Sequence, residues 1–161
     1  MWRNDPAVYK YCRQHTFLSE DDHERWLTSL SSRGDVKMFG VYINSNDAVG
    51  VCGLTSIETI NQTAEFSLYI GPTYQGRGYG KTALLELLKV GFFELNLNRI
   101  WGETFEENPA AKLFENVGMT NEGRLRQTYY KAGKHIDSYI YSILRSEYDS
   151  RYHKCDSPNS D

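Results

Sequence analysis

The spacing of apolar residues changes several times along the chain, and each change predicts an element. Ser19 precedes Glu20, Asp21 and Asp22, and Trp26, Leu27 and Leu30 follow at helical spacing. A hydroxyl cap, acids at the positive end of the dipole and an apolar stripe predict a helix there. Positions 4–13 are a weaker helix candidate that starts at Asp5-Pro6. After the Gly34-Asp35 break, positions 36–43, 48–57 and 64–70 read as strands. Their short polar turns make an antiparallel meander.

Leu84, Leu85, Leu87, Leu88, Phe92 and Leu95 then lie on one broad face of a helix over 81–95. A strand over Arg99–Phe105 follows. Asn108-Pro109 starts a helix carrying Ala111, Leu113, Phe114 and Val117, and Gly118 is placed to end it. Positions 120–130 and 135–144 read as two strands around Ala132-Gly133-Lys134, and 146–161 as a frayed polar tail. The strand-helix-strand unit from 64 to 105 should be parallel and right-handed. The expected fold is α/β (α+β): a mixed central sheet with a β-α-β-α core and helices on both faces.

Composition narrows the function classes. The 161 residues suit one domain, expected over 1–148, with 149–161 as a disordered tail. A formal charge of −3 draws the chain to neither nucleic acid nor anionic membrane. No apolar run reaches membrane-spanning length, and the N-terminus is unlike a signal peptide. Cys12, Cys52 and Cys155 form no CxxC pair, and His15, His23, His135 and His153 show no ligand spacing. A reducing cytoplasm without disulfide or metal is the expectation.

The chemistry concentrates in Gln75-Gly76-Arg77-Gly78-Tyr79-Gly80, between a predicted strand and a predicted helix. Such a turn presents backbone N–H groups at the positive end of the helix, a site for phosphate. It lacks the lysine and hydroxyl of a P-loop and the spacing of a dinucleotide fold. With Gln75, Gly78 and Gly80 in the fixed places of Q/R-x-x-G-x-G/A, it resembles the acetyl-coenzyme A loop of GNAT N-acetyltransferases. Trp2-Arg3-Asn4-Asp5-Pro6, the run from Asn108 to Met119, Glu122 to Arg126 and Gly133 to Asp137 extend the resemblance over about residues 2–148. The similarity is to the branch holding ribosomal-protein N-terminal, amino-sugar-nucleotide and spermidine acetyltransferases. Members normally begin with a strand before the first helix, which this sequence lacks.

The resemblance implies a cleft where the strand at 64–70 splays from the one at 99–105. Acetyl-CoA would bond to the backbone of Leu68, Tyr69 and Ile70, with the Leu68 amide polarising the thioester carbonyl. Gln75, Gly76, Arg77, Gly78, Tyr79, Gly80 and Lys81 would cradle the pyrophosphate, and Asn108, Ala111 and Phe114 would reach the pantetheine region. Without the resemblance, Leu68 and Ile70 are core strand residues and Asn108 a plain helix cap.

Glu65 is the expected base for the amine, and Glu103 its rival. Phe114 stands where many members carry a tyrosine that protonates the leaving thiolate; the alternatives are departure of the thiolate without a protein acid, a substitute among Tyr69, Tyr129 and Tyr130, or loss of activity. Glu106 and Glu107 could attract a cationic amine. Arg3, Asn4, Arg124 and Arg126 could face an anionic substrate, with Trp2 or Tyr129 stacked on its base or sugar.

The expected activity is direct acetyl transfer from acetyl-CoA to a small-molecule or peptide amine, without metal or covalent intermediate. An amino sugar nucleotide is the leading acceptor. The alternatives are a polyamine, a protein N-terminus, or coenzyme A binding without catalysis. The apolar strand at 36–43, left at a sheet edge, needs a cover: the N-terminal residues, the polar tail or a second subunit, with a homodimer the preferred one.

Overall fold

The computed structural model describes residues 2–14 and 16–152. A 3₁₀ turn at Trp2–Asn4 leads into α1 (Pro6–Tyr9), which Asp5 caps by accepting from the Ala7 N–H. α2 (Glu20–Leu30) starts at Ser19 with a capping box completed by Asp22. Its stripe is only partly covered: no residue of α2 is buried, and Leu27 is 48% exposed.

Three strands follow as a meander: β1 (Lys37–Tyr42), β2 (Ala48–Glu58) and β3 (Thr63–Ile70). The glycine-rich turn opens α3 (Tyr79–Lys89), which widens into a π-helical turn over Val90–Glu94. There a Cβ on Gly91 would meet Ile100 and come within 3.2 Å of Leu54, so glycine lets the turn settle onto the sheet. β4 (Arg99–Phe105), α4 (Ala110–Asn116), the hairpin β5 (Thr120–Lys131) and β6 (Lys134–Leu144), and α5 (Arg145–Tyr152) complete the chain.

Among the described residues six strands form one sheet in the order β1-β2-β3-β4-β6-β5. Neighbours are antiparallel except β3 and β4, which are parallel, as a strand-helix-strand crossover requires. Strand residues alternate between two faces. Cys52, Leu54, Ala64, Phe66, Ile100, Tyr141 and Ile143 share one face and form the main core with α3, α4 and α5. Glu65 and Glu103 lie on the other face, which the segment after α1 covers. The mixed sheet with helices on both faces is therefore present. No strand precedes α1 among the described residues, and β1 is an edge strand with Phe39 40% and Tyr42 58% exposed.

The chain beyond β6 differs from the expected frayed tail. Residues 145–152 are helical because Tyr148 is buried at 5% exposure, its ring 5.3 Å from Phe92 and 5.0 Å from Tyr152. An isolated aromatic among polar residues has no periodicity to announce it. The rest of that tail, with His153 and Cys155, lies outside the described residues, as does His15. Cys12 and Cys52 are free thiols, and burial pushes the Cys52 thiol up to about 11.

If α5 belongs to the core, Tyr148→Ala should cost about 3 kcal/mol in denaturant unfolding, the range for emptying a buried aromatic site. A loss below about 0.5 kcal/mol would mean the helix is an appendage.

Candidate active site

The parallel pairing of β3 with β4 lasts three residues: Thr63 with Arg99, Ala64 with Ile100, and Glu65 with Trp101. Beyond Glu65 the strands diverge. The Phe66 ring lies where a side chain on Gly102 would be, and its edge meets Phe114 at 5.0 Å between centroids. The fork opens into a cleft of about 600 Å³.

Divergence leaves one edge of β3 without a strand partner. The Gly71 N–H donates to the Val49 carbonyl, so the opposed pair 49/71 is hydrogen-bonded. By antiparallel alternation Tyr69 and Ser67 also turn their backbone groups to β2. Phe66, Leu68 and Ile70 turn theirs toward the cleft. The Ile70 carbonyl accepts from Gln75 Nε2 at 3.0 Å, which clasps the glycine turn to the end of the strand. Gly76 and Gly78 then take φ of +74° and +88°, values that L side chains resist. Gly78 is the N-cap of α3, so the first N–H groups of the helix face the cleft mouth unbonded within the helix.

Most of the expected cofactor residues come together here. Leu68, Tyr69, Ile70, Gln75, Gly76, Gly78, Tyr79, Gly80, Lys81, Asn108 and Phe114 all line the cleft. Arg77 is exposed on the turn and is not part of the lining. Ala111 packs against the main core, and Ala110 takes the lining position beside it. Asn108 accepts from the Ala110 N–H at 3.0 Å, so it caps α4 while it lines the cleft.

Glu65 is not a lining residue. It is 8% exposed and its carboxylate is ion-paired with Arg13. Glu103 does line the cleft, and its carboxylate is held from three sides. Ser138 Oγ donates to one oxygen at 2.5 Å; Tyr129 OH at 2.8 Å and Arg13 at 3.4 Å reach the other. Burial alone would lower the pKa of Arg13, but Tyr129 and Glu65 outweigh it and raise the group above its ordinary value. Arg13 is therefore cationic across the working pH range. Burial chiefly, with the bond to Glu103, raises the Tyr129 phenol, against Arg13.

Arg13 owes its place to a long-range tie. Lys131 Nζ donates to the carbonyls of Tyr9 at 2.5 Å and Cys12 at 2.6 Å, and lies 4.0 Å from the Tyr9 ring centroid. Burial lowers the pKa of this ammonium. Arg3, Tyr11, Cys12 and Arg13 line the cleft, and the Lys131 tie holds the segment that carries the last three. Of these only Arg3 is singled out by its local motif. The others carry no local signal, because the C-terminal hairpin brings them in.

Phe114 is 6% exposed and wedged between Phe66 and Tyr141. Of the candidate substitute phenols, Tyr69 lines the cleft and burial raises it. Tyr129 already donates to Glu103. Tyr130 is 58% exposed beside His135, away from the lining. The arginines expected to face an anion are divided. Arg3 lines the cleft, whereas Arg124 is bound to Asp137 at 2.5 Å and reaches Glu106 at 3.4 Å. Asn4 is structural, bonded both ways to the Leu18 backbone at 2.8 and 2.9 Å. Trp2 packs over Gly71 and against Tyr74, centroids 6.3 Å apart. Among the described residues no group of His, Cys, Asp and Glu could hold a metal, and no helix is long and apolar enough to cross a membrane.

Known proteins resemble this chain in sequence and in fold. Residues 1–120 match the acetyltransferase (GNAT) domain family. The uncharacterized N-acetyltransferase p20 of Bacillus licheniformis is 33% identical over 90% of this chain and 84% of its own length. A spermidine N(1)-acetyltransferase of Vibrio cholerae is 29% identical over 92% of this chain and 86% of its own. The crystal structure of spermidine N-acetyltransferase from Vibrio cholerae in complex with CoA and spermine superposes with a TM-score of 0.87. It has 28% identity and covers 91% of this chain and 88% of that one.

The Arg13 pair gives an expectation for stability. In Arg13→Met, Glu65 and Glu103 lose their shared cation while remaining largely buried. Because Arg13 is itself 42% exposed, the discounted loss is about 1–2 kcal/mol at pH 7. Urea unfolding of both proteins at pH 7 checks this; a loss below about 0.5 kcal/mol contradicts it.

Proposed function

Because the chain belongs to the GNAT acetyltransferase family and is an acetyl-CoA-dependent N-acetyltransferase, we propose that its acceptor is a polyamine-class primary amine, acetylated directly at the β3–β4 fork. The observation that carries the reading is the fork: a strand edge with unpaired backbone groups, ending in a glycine turn at a helix N-terminus. Leu68 and Ile70 hold the pantetheine arm as an added strand. The turn from Gln75 to Lys81 takes the pyrophosphate, with Lys81 supplying charge. The Leu68 N–H faces the thioester oxygen as the amine attacks. Similarity to Vibrio cholerae spermidine acetyltransferase in sequence and in structure, each over nine-tenths of the chain, favours the polyamine over the amino sugar nucleotide. Arg3 and Lys81 in the lining do not oppose a cationic acceptor, since bound acetyl-CoA brings its own phosphates.

The attacking amine must be neutral. For an alkylamine with pKa near 10.4, deprotonation at pH 7 costs roughly 4 kcal/mol. Glu103, on the cleft wall, receives that proton through water. Glu65 acts behind it by holding Arg13. The roles expected of Glu65 are thus divided, because β4 rather than β3 carries a carboxylate into the cleft. The apolar outer edge of β1 is a surface for a second copy of the chain; sedimentation at micromolar concentration should show a dimer, and a monomer excludes it.

The test is thiol release from acetyl-CoA with an amine panel. Spermidine or spermine should be turned over, and Glu103→Gln should lose activity most at neutral pH and least near pH 10. Turnover of an amino sugar nucleotide but no polyamine would overturn the acceptor.

A variant at the turn checks the cofactor. Gly78→Glu places a carboxylate at a left-handed position with nothing within 4 Å of its Cβ, so the fold should survive. The affinity for acetyl-CoA should fall at least about tenfold by calorimetry, since charge repulsion and backbone strain both act there. Unchanged affinity would move the pyrophosphate elsewhere.

A further inference from the structure

Thr104 lines the cleft from β4, is 4% exposed, and has a buried Oγ1 without a hydrogen-bond partner among the described residues. A buried hydroxyl left unpaired is destabilising, and valine would fill the same volume without that cost. The position of Thr104 says what the missing partner is. The last residue pair before the fork is Glu65 with Trp101. Leu68 and Thr104 each lie three residues beyond it on their own strands, so they face one another across the opening. Strand alternation turns both side chains to the face that also bears Phe66 and Phe114. On that side Phe114 is an apolar ring and donates nothing.

We infer that the Thr104 hydroxyl is a catalytic hydrogen-bond donor to the sulfur of acetyl-CoA. The inference rests on the fork being the cofactor site. With the thioester oxygen at the Leu68 N–H, the sulfur is the other atom of the reacting group that gains charge. As the amine nitrogen bonds to the acetyl carbon, the carbon–sulfur bond breaks and its electron pair goes to sulfur. The proton of the amine leaves through water toward Glu103. Thr104 keeps its own proton and stabilises the thiolate by a charge-assisted bond. The departing thiolate takes its proton from solvent; with a thiol pKa near 8.5 it needs no strong acid. Threonine on β4 thus supplies polarity that Phe114 on α4 lacks.

Three variants test this: Thr104→Val, Thr104→Ser, and Phe114→Tyr added to Thr104→Val. Thr104→Val should unfold no more easily than the parent, because the hydroxyl has no partner to lose. Its kcat should fall about tenfold with KM for the amine unchanged, the effect of one bond to a charged group. Thr104→Ser should keep most of the activity, and the added tyrosine should recover part of the loss.

Calorimetry reads the same contact without any amine. Affinity for CoA should fall about threefold or more in Thr104→Val, while affinity for desulfo-CoA stays level. Parental kcat, or equal losses for CoA and desulfo-CoA, would overturn the role. So would a clear loss of stability in Thr104→Val, which would make the hydroxyl structural. Absent or unaltered cofactor binding in Gly78→Glu and parent alike would instead count against the fork as the cofactor site.

Discussion

The constraint on which the rest of this structure depends is the early end of the β3–β4 ladder. Parallel strands this close normally continue to pair, since an unpaired backbone group beside them loses a hydrogen bond. Here pairing stops at Glu65 and Trp101. Phe66 takes the space over Gly102 and packs edge-on to Phe114, which in turn packs on Tyr141. Three aromatic rings from β3, α4 and β6 thus wedge the strands apart and floor the gap. The cost of opening the ladder is met by a core that is continuous beneath it. The benefit is a strand edge that another molecule can complete.

The opposite face of the fork is organised by charge rather than by packing. Glu65 and Glu103 come from adjacent strands and are largely buried, so both need partners. Arg13 serves both, Tyr129 and Ser138 add donors to Glu103, and Lys131 ties down the segment that carries Arg13. This network closes the cleft with the N-terminal segment and the C-terminal hairpin, two parts of the chain about 120 residues apart. It also sets the division of labour between the carboxylates. The one on β4 meets the cleft and the one on β3 holds the cation in place.

The two faces together give the proposed mechanism its parts despite phenylalanine at 114. The ring keeps the wedge intact, and polarity near the reacting sulfur is proposed to come from Thr104 on the neighbouring strand. A thiolate is a sufficiently good leaving group that a hydrogen bond can replace a proton donor. The harder problem is the amine proton, which is proposed to pass to Glu103 on the charged face.

Local signals in the sequence determined the elements, the glycine turn and the family. Ser19 with Asp22, Asn108 with Pro109, and the left-handed glycines at 76, 78 and 118 act within a few residues of themselves, so their roles read directly from spacing. The parallel crossover and the cleft between residues 64–70 and 99–105 also follow from element order and handedness. Tertiary structure alone decided the rest. Glu65 and Glu103 share one face, and only Glu103 meets the cleft because it lies beyond the last β3–β4 pair, Glu65 with Trp101. The entry of Tyr11, Cys12 and Arg13 into the site depends on Lys131, far along the chain. Tyr148 turns an expected tail into a core helix only because Phe92 is there to receive it. The unpaired hydroxyl of Thr104 exists only once the strands have parted. Contacts within a turn are written in neighbouring residues, whereas burial and pairing across the sheet depend on which distant side chains arrive.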